Sequence, residues 1–250
     1  MFFINFLLNI VTYIALIIMT ICSIPLFFWV LFIKKKDRFP IASKLIFGPW
    51  SFIINNLLCH INLKIKGREY IDKKRKTIYI CNHQSWLDIT TFINTTGAVP
   101  IAKEEVKIIP FLGIMIVYNG PIYLQRNNKK DRLGIIKEVR EFFSDDKQKR
   151  SLCFFPEGTR SSNGELQAPN LALIKLAYKM NIPVVSAAIN GTMDVLPKGK
   201  MFIRGFKKVT LEYTEPILPA DYPDSTSFSE ACWKRVEVTY NKLTSENNTK

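Results

Sequence analysis

The sequence predicts a single α/β domain with a mostly buried mixed sheet flanked by helices, preceded by an N-terminal membrane helix region. After residue 60, short apolar runs alternate with stretches of helical spacing, which is typical of strands separated by helices. Residues 1–33 carry no charged side chain, and this run exceeds the roughly 20 residues that span a bilayer. The 250 residues suffice for one domain of this kind.

The N-terminal run predicts a retained membrane anchor over residues 1–33. A cleaved signal peptide carries basic residues before its apolar run, whereas here a basic stretch from Lys34 to Arg38 follows it. By the positive-inside rule, these charges place the rest of the chain on the cytoplasmic face of the membrane. Pro25 kinks the helix, or the extra length is taken up by tilt or by an interfacial segment.

Residues 34–60 combine the basic flank with a second apolar stretch, which Lys44, Gly48 and Pro49 interrupt. Two interpretations stay open. The stretch is an interfacial helix with Trp50 near the lipid headgroups, or it is a helix buried against the following domain.

The remaining elements follow in order. Strict period-2 alternation predicts a strand over 62–66, and the spacing of Leu133, Ile136, Val139 and Phe143 predicts a helix over 129–144. Residues 114–124 are strand-like, with a turn at 119–121. Further strands are predicted at 77–81, 152–155, 182–189 and 209–213, and further helices at 85–93, 170–180 and 227–243. The domain therefore spans 61–243 and a polar tail spans 244–250.

Charge and composition narrow the function classes. The net charge of +14 predicts an anionic partner, which is nucleic acid, a negatively charged membrane face or a phosphorylated substrate. The sequence contains no recognised nucleic-acid motif and no GxSxG nucleophile elbow of a serine hydrolase. Its five widely spaced cysteines argue against a disulfide framework or a zinc site. Imidazole chemistry would rest on one of only two histidines, His60 and His83.

The segment NHQSWLD at 82–88 directly follows a predicted strand. His83 and Asp88 would lie about 500° apart on a continuous helix, so they meet only if His83 lies in the turn before the helix. In that arrangement Asp88 fixes the tautomer of His83, whose other ring nitrogen acts as a general base. Alternatively, Ser85 and Asp88 only cap the helix and His83 is structural. The spacing leaves both interpretations open.

The segment FPEGTRS at 155–161 also follows a short predicted strand. Gly158 allows a tight turn, and Arg160 is suited to bidentate phosphate binding. Arg126 ends another strand-like segment, so the two arginines are candidates to bind one phosphate. The alternative is an ordinary turn with a solvated arginine and a weak surface pair to Glu157.

Together these segments resemble the 1-acylglycerol-3-phosphate acyltransferase family of glycerolipid acyltransferases. The resemblance covers roughly residues 60–215 and rests on ordered blocks: NHxxxxD at 82–88, Gly-x-Ile-x-x-x-Arg at 120–126, FPEGTRS at 155–161 and an apolar strand at 182–187, with further likeness at 102–105 and 109–113.

The resemblance implies that 61–243 is an acyltransferase domain. The implied reaction moves a fatty acyl group from acyl-CoA or acyl carrier protein to the sn-2 hydroxyl of 1-acylglycerol-3-phosphate, giving phosphatidic acid in phospholipid biosynthesis. His83 would be the general base and Asp88 its orienter. The residues implied to bind the acceptor's phosphate or to shape that site are Arg126, Glu157, Gly158, Thr159 and Arg160.

The same resemblance implies no metal and no cofactor beyond the acyl thioester co-substrate. The expected partners are the lysophospholipid acceptor, the acyl thioester donor and the membrane, with no nucleic acid. The alternatives are another lysophospholipid or lipid acceptor, or a non-catalytic membrane scaffold.

Several positions bear on the details of this expectation. Members often have Lys-Lys-Gly where this chain has QAPN at 167–170, and Pro where it has Ser186, so both positions are expected to alter the acceptor pocket. Lys103 or a backbone N–H is the candidate donor to the oxyanion. A second basic cluster either contacts anionic headgroups or forms a solvated face; it consists of Lys198, Lys200, Arg204, Lys207 and Lys208.

Overall fold

A computed structural model describes residues 2–33, 41–108, 122–124, 129–144 and 150–248 of the chain. Helix α1 covers Phe2–Leu31. Helix α2 consists of three consecutive segments, which are the π-helical Ser43–Phe47, the α-helical Gly48–Phe52 and the π-helical Ile53–Leu58. The predicted basic flank at 34–38 and most of the strand-like segment at 114–124 lie outside the described residues.

The strands and helices of the domain alternate, as the sequence predicts. The strands are β1 Asn62–Lys66, β2 Ile78–Cys81, β3 Val99–Lys103, β4 Ile122–Leu124, β5 Leu152–Phe154, β6 Val184–Asn190 and β7 Lys208–Tyr213. The helices are α3 (π-helical Ile89–Ile93, then α-helical Asn94–Thr96), α4 Lys129–Ser144, α5 Ala172–Lys179, α6 Thr192–Val195 and α7 Ser225–Asn248. Short 3₁₀ turns occur at Arg68–Tyr70, Glu104–Ile108 and Pro219–Asp221.

The seven described strands form one mixed sheet in the order β1-β7-β6-β2-β5-β3-β4. The five strands from β6 to β4 are parallel to one another, whereas β7 runs antiparallel to β6 and parallel to β1. The carboxyl ends of these five strands therefore meet at one edge of the sheet. Open α/β sheets bind their ligands at such an edge.

Helices cover both faces of the sheet, which explains the continuous apolar character of its central strands. All four residues of β2 are at most 1% exposed. On one face, Tyr79 and Leu211 pack with Phe92 of α3. On the other, Ile80 packs with Ile174 of α5 and with α7. The predicted α/β class and the mostly buried mixed sheet are confirmed.

Helix α1 is apolar along its length and carries the membrane-associated character of the chain. Its span Asn5–Leu26 has a mean hydropathy of 2.3, and only 17% of it is buried, so it is long and apolar enough to cross a bilayer. Large side chains such as Phe3, Ile18 and Phe28 are between 54 and 69% exposed. An exposed apolar surface of this length is compatible with membrane association.

The opposite side of α1 carries polar residues that bind the domain. The Asn9 side chain donates to the carbonyl of Ile203 at 2.8 Å and accepts from its N–H at 2.7 Å. Thr12 donates to a carbonyl of α2 at 3.1 Å, and Trp50 Nε1 donates to Ser23 Oγ at 3.0 Å. Trp50 is only 5% exposed, and its indole lies against α1. Other side chains of α2 are exposed, among them Phe52 at 59% and Leu57 at 56%, so both interpretations of this stretch stay predictions.

Three elements differ from the sequence-based predictions. Strand β3 was missed because Pro100 stands inside it, and proline within a short apolar run is a strand-breaking signal. The helix predicted from Ser85 begins after an extended turn and is π-helical over Ile89–Ile93. The predicted polar tail is helical as far as Asn248, where the ion pair between Glu246 and Lys66 of β1, at 2.9 Å, ties the last turns to the sheet.

Candidate active site

His83 and Asp88 meet at the carboxyl end of β2. His83 lies in the turn between β2 and α3, and its Nδ1 is 2.8 Å from Asp88 Oδ2. The Asp88 side chain is 0% exposed, whereas the His83 side chain is 12% exposed. The bend before the helix therefore brings together the two side chains that a continuous helix would separate.

Asp88 also receives hydrogen bonds from three other groups. Its Oδ2 accepts from the backbone N–H groups of Gln84 at 2.5 Å and Ser85 at 2.7 Å. Its Oδ1 accepts from Thr192 Oγ1 at 2.5 Å. Thr192 is the first residue of α6, the helix that follows β6. Asp88 thus holds the turn before α3 and contacts His83 at the same time, so its structural hydrogen bonds do not prevent the contact with His83.

The imidazole of His83 is held at its edge and on its face. The Phe155 ring stacks on it with centroids 4.1 Å apart and planes at 11°. Because the Asp88 carboxylate accepts, Nδ1 carries the proton and Nε2 retains a lone pair. Since His83 lines a cleft and its ring is held in this way, it meets the geometric requirement of a general base.

Glu157 fixes the backbone of His83. Its Oε1 accepts from the N–H of His83 and its Oε2 from the N–H of Gln167, each at 2.7 Å. In addition, the N–H of Ser161 donates to the His83 carbonyl at 2.8 Å. Burial raises the pKa of Glu157 to about 7. Glu157 therefore shapes the site by joining the loops after β2 and β5, with its oxygens on the backbone and not in the cleft.

The turn after β5 presents a guanidinium to the same cleft. Gly158 has φ of +60°, a left-handed conformation that a side chain would strain. Two residues on, Arg160 lies over the indole of Trp86, with Cζ 4.3 Å from the ring centroid. Within the described part of the chain, its buried Nη1 has no hydrogen-bond partner. Burial lowers the pKa of Arg160, and an anion in the cleft would satisfy the unpaired nitrogen.

The cleft itself has a volume of about 390 Å³ and is bordered by His83, Gly158, Thr159 and Arg160. Its walls are largely apolar, with Ile89, Ile93, Ile101, Val106 and Phe154 among the lining side chains. Such a combination suits an amphipathic ligand, since a few polar groups converge at one end of an apolar surface.

The structure therefore brings together six of the seven predicted site residues: His83, Asp88, Glu157, Gly158, Thr159 and Arg160. The seventh, Arg126, lies outside the described residues, and its role stays a prediction. The candidate oxyanion donor Lys103 lines the cleft at the end of β3.

Other contributors were not assigned roles from the sequence. Thr192 lies 104 residues from Asp88 along the chain, so no local pattern connects the two. Phe155 and Trp86 stood inside the recognised segments, where an aromatic residue beside a candidate base or arginine was a usable signal.

The two departures from the family pattern serve the fold. Gln167 contributes its backbone N–H to Glu157, a contact that does not depend on its side chain. Ser186 is 0% exposed on β6 and donates to the carbonyl of Cys232 in α7 at 2.8 Å. Neither residue is among those that line the cleft, and the expected change of the acceptor pocket stays a prediction.

The mixed sheet, the His–Asp pair at its carboxyl edge and the apolar helix α1 define an α/β protein with a candidate active site and a helix long enough to cross a membrane. A protein-family model described as Acyltransferase matches residues 62–190, a range that includes strands β1 to β6 in chain order and the segments at 82–88 and 155–161. The chain belongs to this acyltransferase family.

Individual relatives agree with this assignment. The chain is 30% identical over 190 residues to a 1-acyl-sn-glycerol-3-phosphate acyltransferase of Limnanthes douglasii, covering 70% of this chain and 66% of that protein. It is 33% identical over 157 residues to the enzyme of that name from Saccharomyces cerevisiae, covering 61% and 51%. The matched regions thus span between about half and two thirds of these relatives.

A solved structure extends the likeness over nearly the whole chain. The crystal structure of the 1-acyl-sn-glycerophosphate acyltransferase PlsC from Thermotoga maritima superimposes with a TM-score of 0.76 at 25% identity, covering 96% of both chains. The similarity therefore includes the N-terminal helices as well as the sheet.

Proposed function

We propose that this protein transfers a fatty acyl group from an acyl thioester to the sn-2 hydroxyl of 1-acylglycerol-3-phosphate, giving phosphatidic acid. The observation that carries the proposal is the His83–Asp88 contact of 2.8 Å at a cleft that Arg160 also borders. The names of the relatives and of the structural neighbour support the choice of acceptor.

The geometry supports direct transfer with both substrates bound. Nε2 of His83 takes the proton from the acceptor's hydroxyl as its oxygen attacks the thioester carbonyl. The C–S bond then breaks, the proton returns from His83 to the leaving thiolate, and an ester and a free thiol result. Asp88 stabilises the imidazolium formed in between. General-base assistance of this type contributes typically about 10²–10⁴-fold.

Recognition of the acceptor is assigned to the turn after β5. In the proposal, the guanidinium of Arg160 and the hydroxyl of Thr159, which both border the cleft, donate to the phosphate and fix the head of the lysolipid beside His83. Arg126 completes this site in the proposal. Lys103, at the cleft, is the candidate for stabilising the oxyanion. The donor is acyl-CoA or acyl carrier protein, and neither a metal nor another cofactor is required.

Membrane contact is assigned to the exposed side of α1, with the catalytic domain on the cytoplasmic face. Contacts to the domain run from Asn9 to Ser23, which corresponds to about 21 Å along the helix axis. Lipid therefore covers α1 on one side, while the domain lies along the other. An acceptor whose acyl chain stays in the bilayer then reaches the cleft without leaving the membrane.

Purified full-length protein should be assayed with a panel of lysolipids, each with acyl-CoA and with acyl carrier protein thioester. We expect 1-acylglycerol-3-phosphate to give the highest kcat/KM and phosphatidic acid to be the product. His83→Ala should lower kcat by about 10²–10⁴-fold without changing the thermal unfolding midpoint by more than a few degrees.

The same assay separates the alternatives. Unchanged turnover in His83→Ala would contradict a catalytic role for the His83–Asp88 pair and would favour the alternative of a membrane scaffold. A higher kcat/KM for another acceptor would assign the chain to a different lipid within the same family.

A further inference from the structure

A tight turn at residues 197–200, with the sequence Pro-Lys-Gly-Lys, borders the cleft. The N–H of Lys200 donates to the carbonyl of Pro197 at 3.2 Å, and Gly199 has φ of +75°. Positive φ at the third position is what a type II turn requires. The second position, Lys198, is exposed and lines the cleft together with His83 and Arg160.

The ammonium group of Lys198 reaches the phosphate-binding segment proposed above. Its Nζ donates to the carbonyl of Arg160 at 2.8 Å and to Thr159 Oγ1 at 3.2 Å. An ammonium has three hydrogens, so one remains for a ligand. Among the described residues, neither Lys198 nor Arg160 has a carboxylate within ion-pair distance. Asp88 acts on Arg160 from farther away, and Glu105 lines the same cleft. Two neighbouring cations that form no direct ion pair favour the binding of an anion between them.

The turn is anchored to the catalytic loop. Ser85 Oγ, in the NHxxxxD segment, donates to the carbonyl of Leu196 at 2.7 Å. The N–H of Arg204 donates to the carbonyl of Val195 at 2.8 Å and closes the base of the loop. These hydrogen bonds tie the backbone before Lys198 to the loop that carries His83.

On its other side, the same loop is anchored to the membrane helix. Tyr13 donates to the carbonyl of Met201, and the Asn9 side chain pairs with both backbone groups of Ile203. Lys198 thus lies on the segment that connects α1 to the cleft. A lysolipid entering from the lipid side of the molecule would place its headgroup at this segment.

We propose that Lys198 is a specificity-determining residue that binds the phosphate monoester of the acceptor together with Arg160. This inference rests on the proposed function. The phosphates of a CoA donor offer the same chemistry, since their oxygens also accept from an ammonium and a guanidinium. The attachment of the turn to α1 favours the acceptor, because the acceptor is the substrate whose chain remains in the membrane.

The test compares Lys198→Met with the matched variant Lys200→Met, which removes an equal charge from the same turn outside the cleft. Acceptors are 1-acylglycerol-3-phosphate and 1-acylglycerol at fixed mole fraction in neutral detergent micelles. Donors are an acyl-CoA and the S-acyl derivative of N-acetylcysteamine, which lacks phosphate. Arg160→Ala is the reference for loss of the acceptor site.

We expect Lys198→Met to raise the KM for 1-acylglycerol-3-phosphate by about 10–100-fold, the effect of one hydrogen bond to a charged group. Its kcat should stay within about twofold of the wild-type value. Its KM for 1-acylglycerol should also stay within about twofold, because this acceptor has no phosphate to accept the hydrogen bond. Lys198→Arg should restore most of the affinity, and Lys200→Met should match the wild type.

Three results would overturn the proposal. A rise in the KM for acyl-CoA, absent with the truncated donor, assigns Lys198 to the donor. Equal losses with both acceptors, together with a lowered unfolding midpoint, assign it to the fold. Equal effects of Lys198→Met and Lys200→Met assign it to general surface charge.

The outcome is separate from that of the proposed function. If wild-type protein does not acylate 1-acylglycerol-3-phosphate, the proposed function fails whatever the variants do. If the wild type is active and Lys198→Met keeps its KM, only the role of Lys198 fails.

Discussion

The two histidines of the chain both stack on a phenylalanine ring, but only the imidazole of His83 also contacts a carboxylate among the described residues. His83 stacks on Phe155 with centroids 4.1 Å apart, and His60, between α2 and β1, stacks on Phe206 with centroids 4.8 Å apart. Asp88 orients the ring of His83. Among the described residues, no carboxylate lies within ion-pair distance of His60.

The difference shows that stacking alone does not make a base. A ring against a phenyl group is a packing contact worth about 0.5–1.5 kcal/mol beyond buried area. What distinguishes His83 is a buried carboxylate that is itself fixed by Gln84, Ser85 and Thr192, and that selects one tautomer. The substitutions below change first the carboxylate of Asp88, then the residue that holds the backbone of His83, and last the second histidine, His60.

The largest effect is expected from Asp88→Asn, which removes the charge but keeps the shape. The amide oxygen can still accept from His83, Gln84 and Ser85, while the amide N–H₂ can donate to Thr192 Oγ1, since a hydroxyl also accepts. The fold should survive, but the imidazolium formed during transfer loses its stabilising charge. We expect kcat to fall by about 10²–10⁴-fold, measured as acyl transfer at saturating substrates.

The control is Asp88→Ala. This variant leaves the buried N–H groups of Gln84 and Ser85 without an acceptor. Each loss should lower the free energy of unfolding by about 1–3 kcal/mol, so the unfolding midpoint should fall as well as kcat. If Asp88→Asn retained full turnover, the carboxylate would only be a helix cap, and His83 would be no different from His60.

Much of the fold follows from periodicity, because burial imposes it locally. The observed bounds of β1 and α4 equal the predicted ones, since strict alternation and a one-sided apolar stripe leave little freedom. Strand β3 was missed because its five residues include Pro100. Strand order cannot be read from periodicity either, since β2 pairs with β5 and β6 across long stretches of chain.

The site divides in the same way. The turn at Gly158 could be predicted because it is encoded within one short segment. The contact of His83 with Asp88 was one of two interpretations that the spacing left open, and the family resemblance favoured it. The contacts of Thr192 and Lys198 could not be predicted, since they depend on which strands are neighbours in the sheet. The sequence did not decide whether Trp50 faces lipid headgroups or the domain, because the apolar pattern of a helix does not show what that helix packs against.

A smaller effect is expected from Glu157→Gln, a similar exchange of acid for amide. Both oxygens of Glu157 accept from backbone N–H groups, so an amide must turn its own N–H₂ toward either His83 or Gln167. We expect a loss of about 1–3 kcal/mol in unfolding free energy and a fall in kcat/KM of about 10–100-fold through displacement of His83. A stable, fully active variant would show that Glu157 does not position the base.

The pH dependence of stability tests the same residue independently. Burial raises the pKa of Glu157 to about 7 from a reference value of 4.5, so the folded state binds more protons than the unfolded state between these values. Its contribution is therefore fully present below about pH 4.5 and is lost as pH rises through about 7, by up to about 3 kcal/mol. Unfolding midpoints at pH 5 and pH 8 should differ less in Glu157→Gln than in the wild type.

The smallest effect is expected from His60→Asn, compared with His83→Asn. His60 has φ of +48°, a left-handed conformation that asparagine tolerates better than most residues, so the backbone is preserved and only the stacked ring is lost. Because Phe206 is 60% exposed, we expect a loss of at most about 1 kcal/mol, or about 2–4 °C in unfolding midpoint.

Turnover of His60→Asn should stay within about twofold of the wild type, whereas the same exchange at His83 should reduce kcat by about 10²–10⁴-fold. If His60→Asn lost activity tenfold or more at an unchanged midpoint, the second imidazole would take part in the reaction. The Asp88 carboxylate would then not be what separates the two histidines, and the assignment of the base would have to be made between them by the pH dependence of each variant.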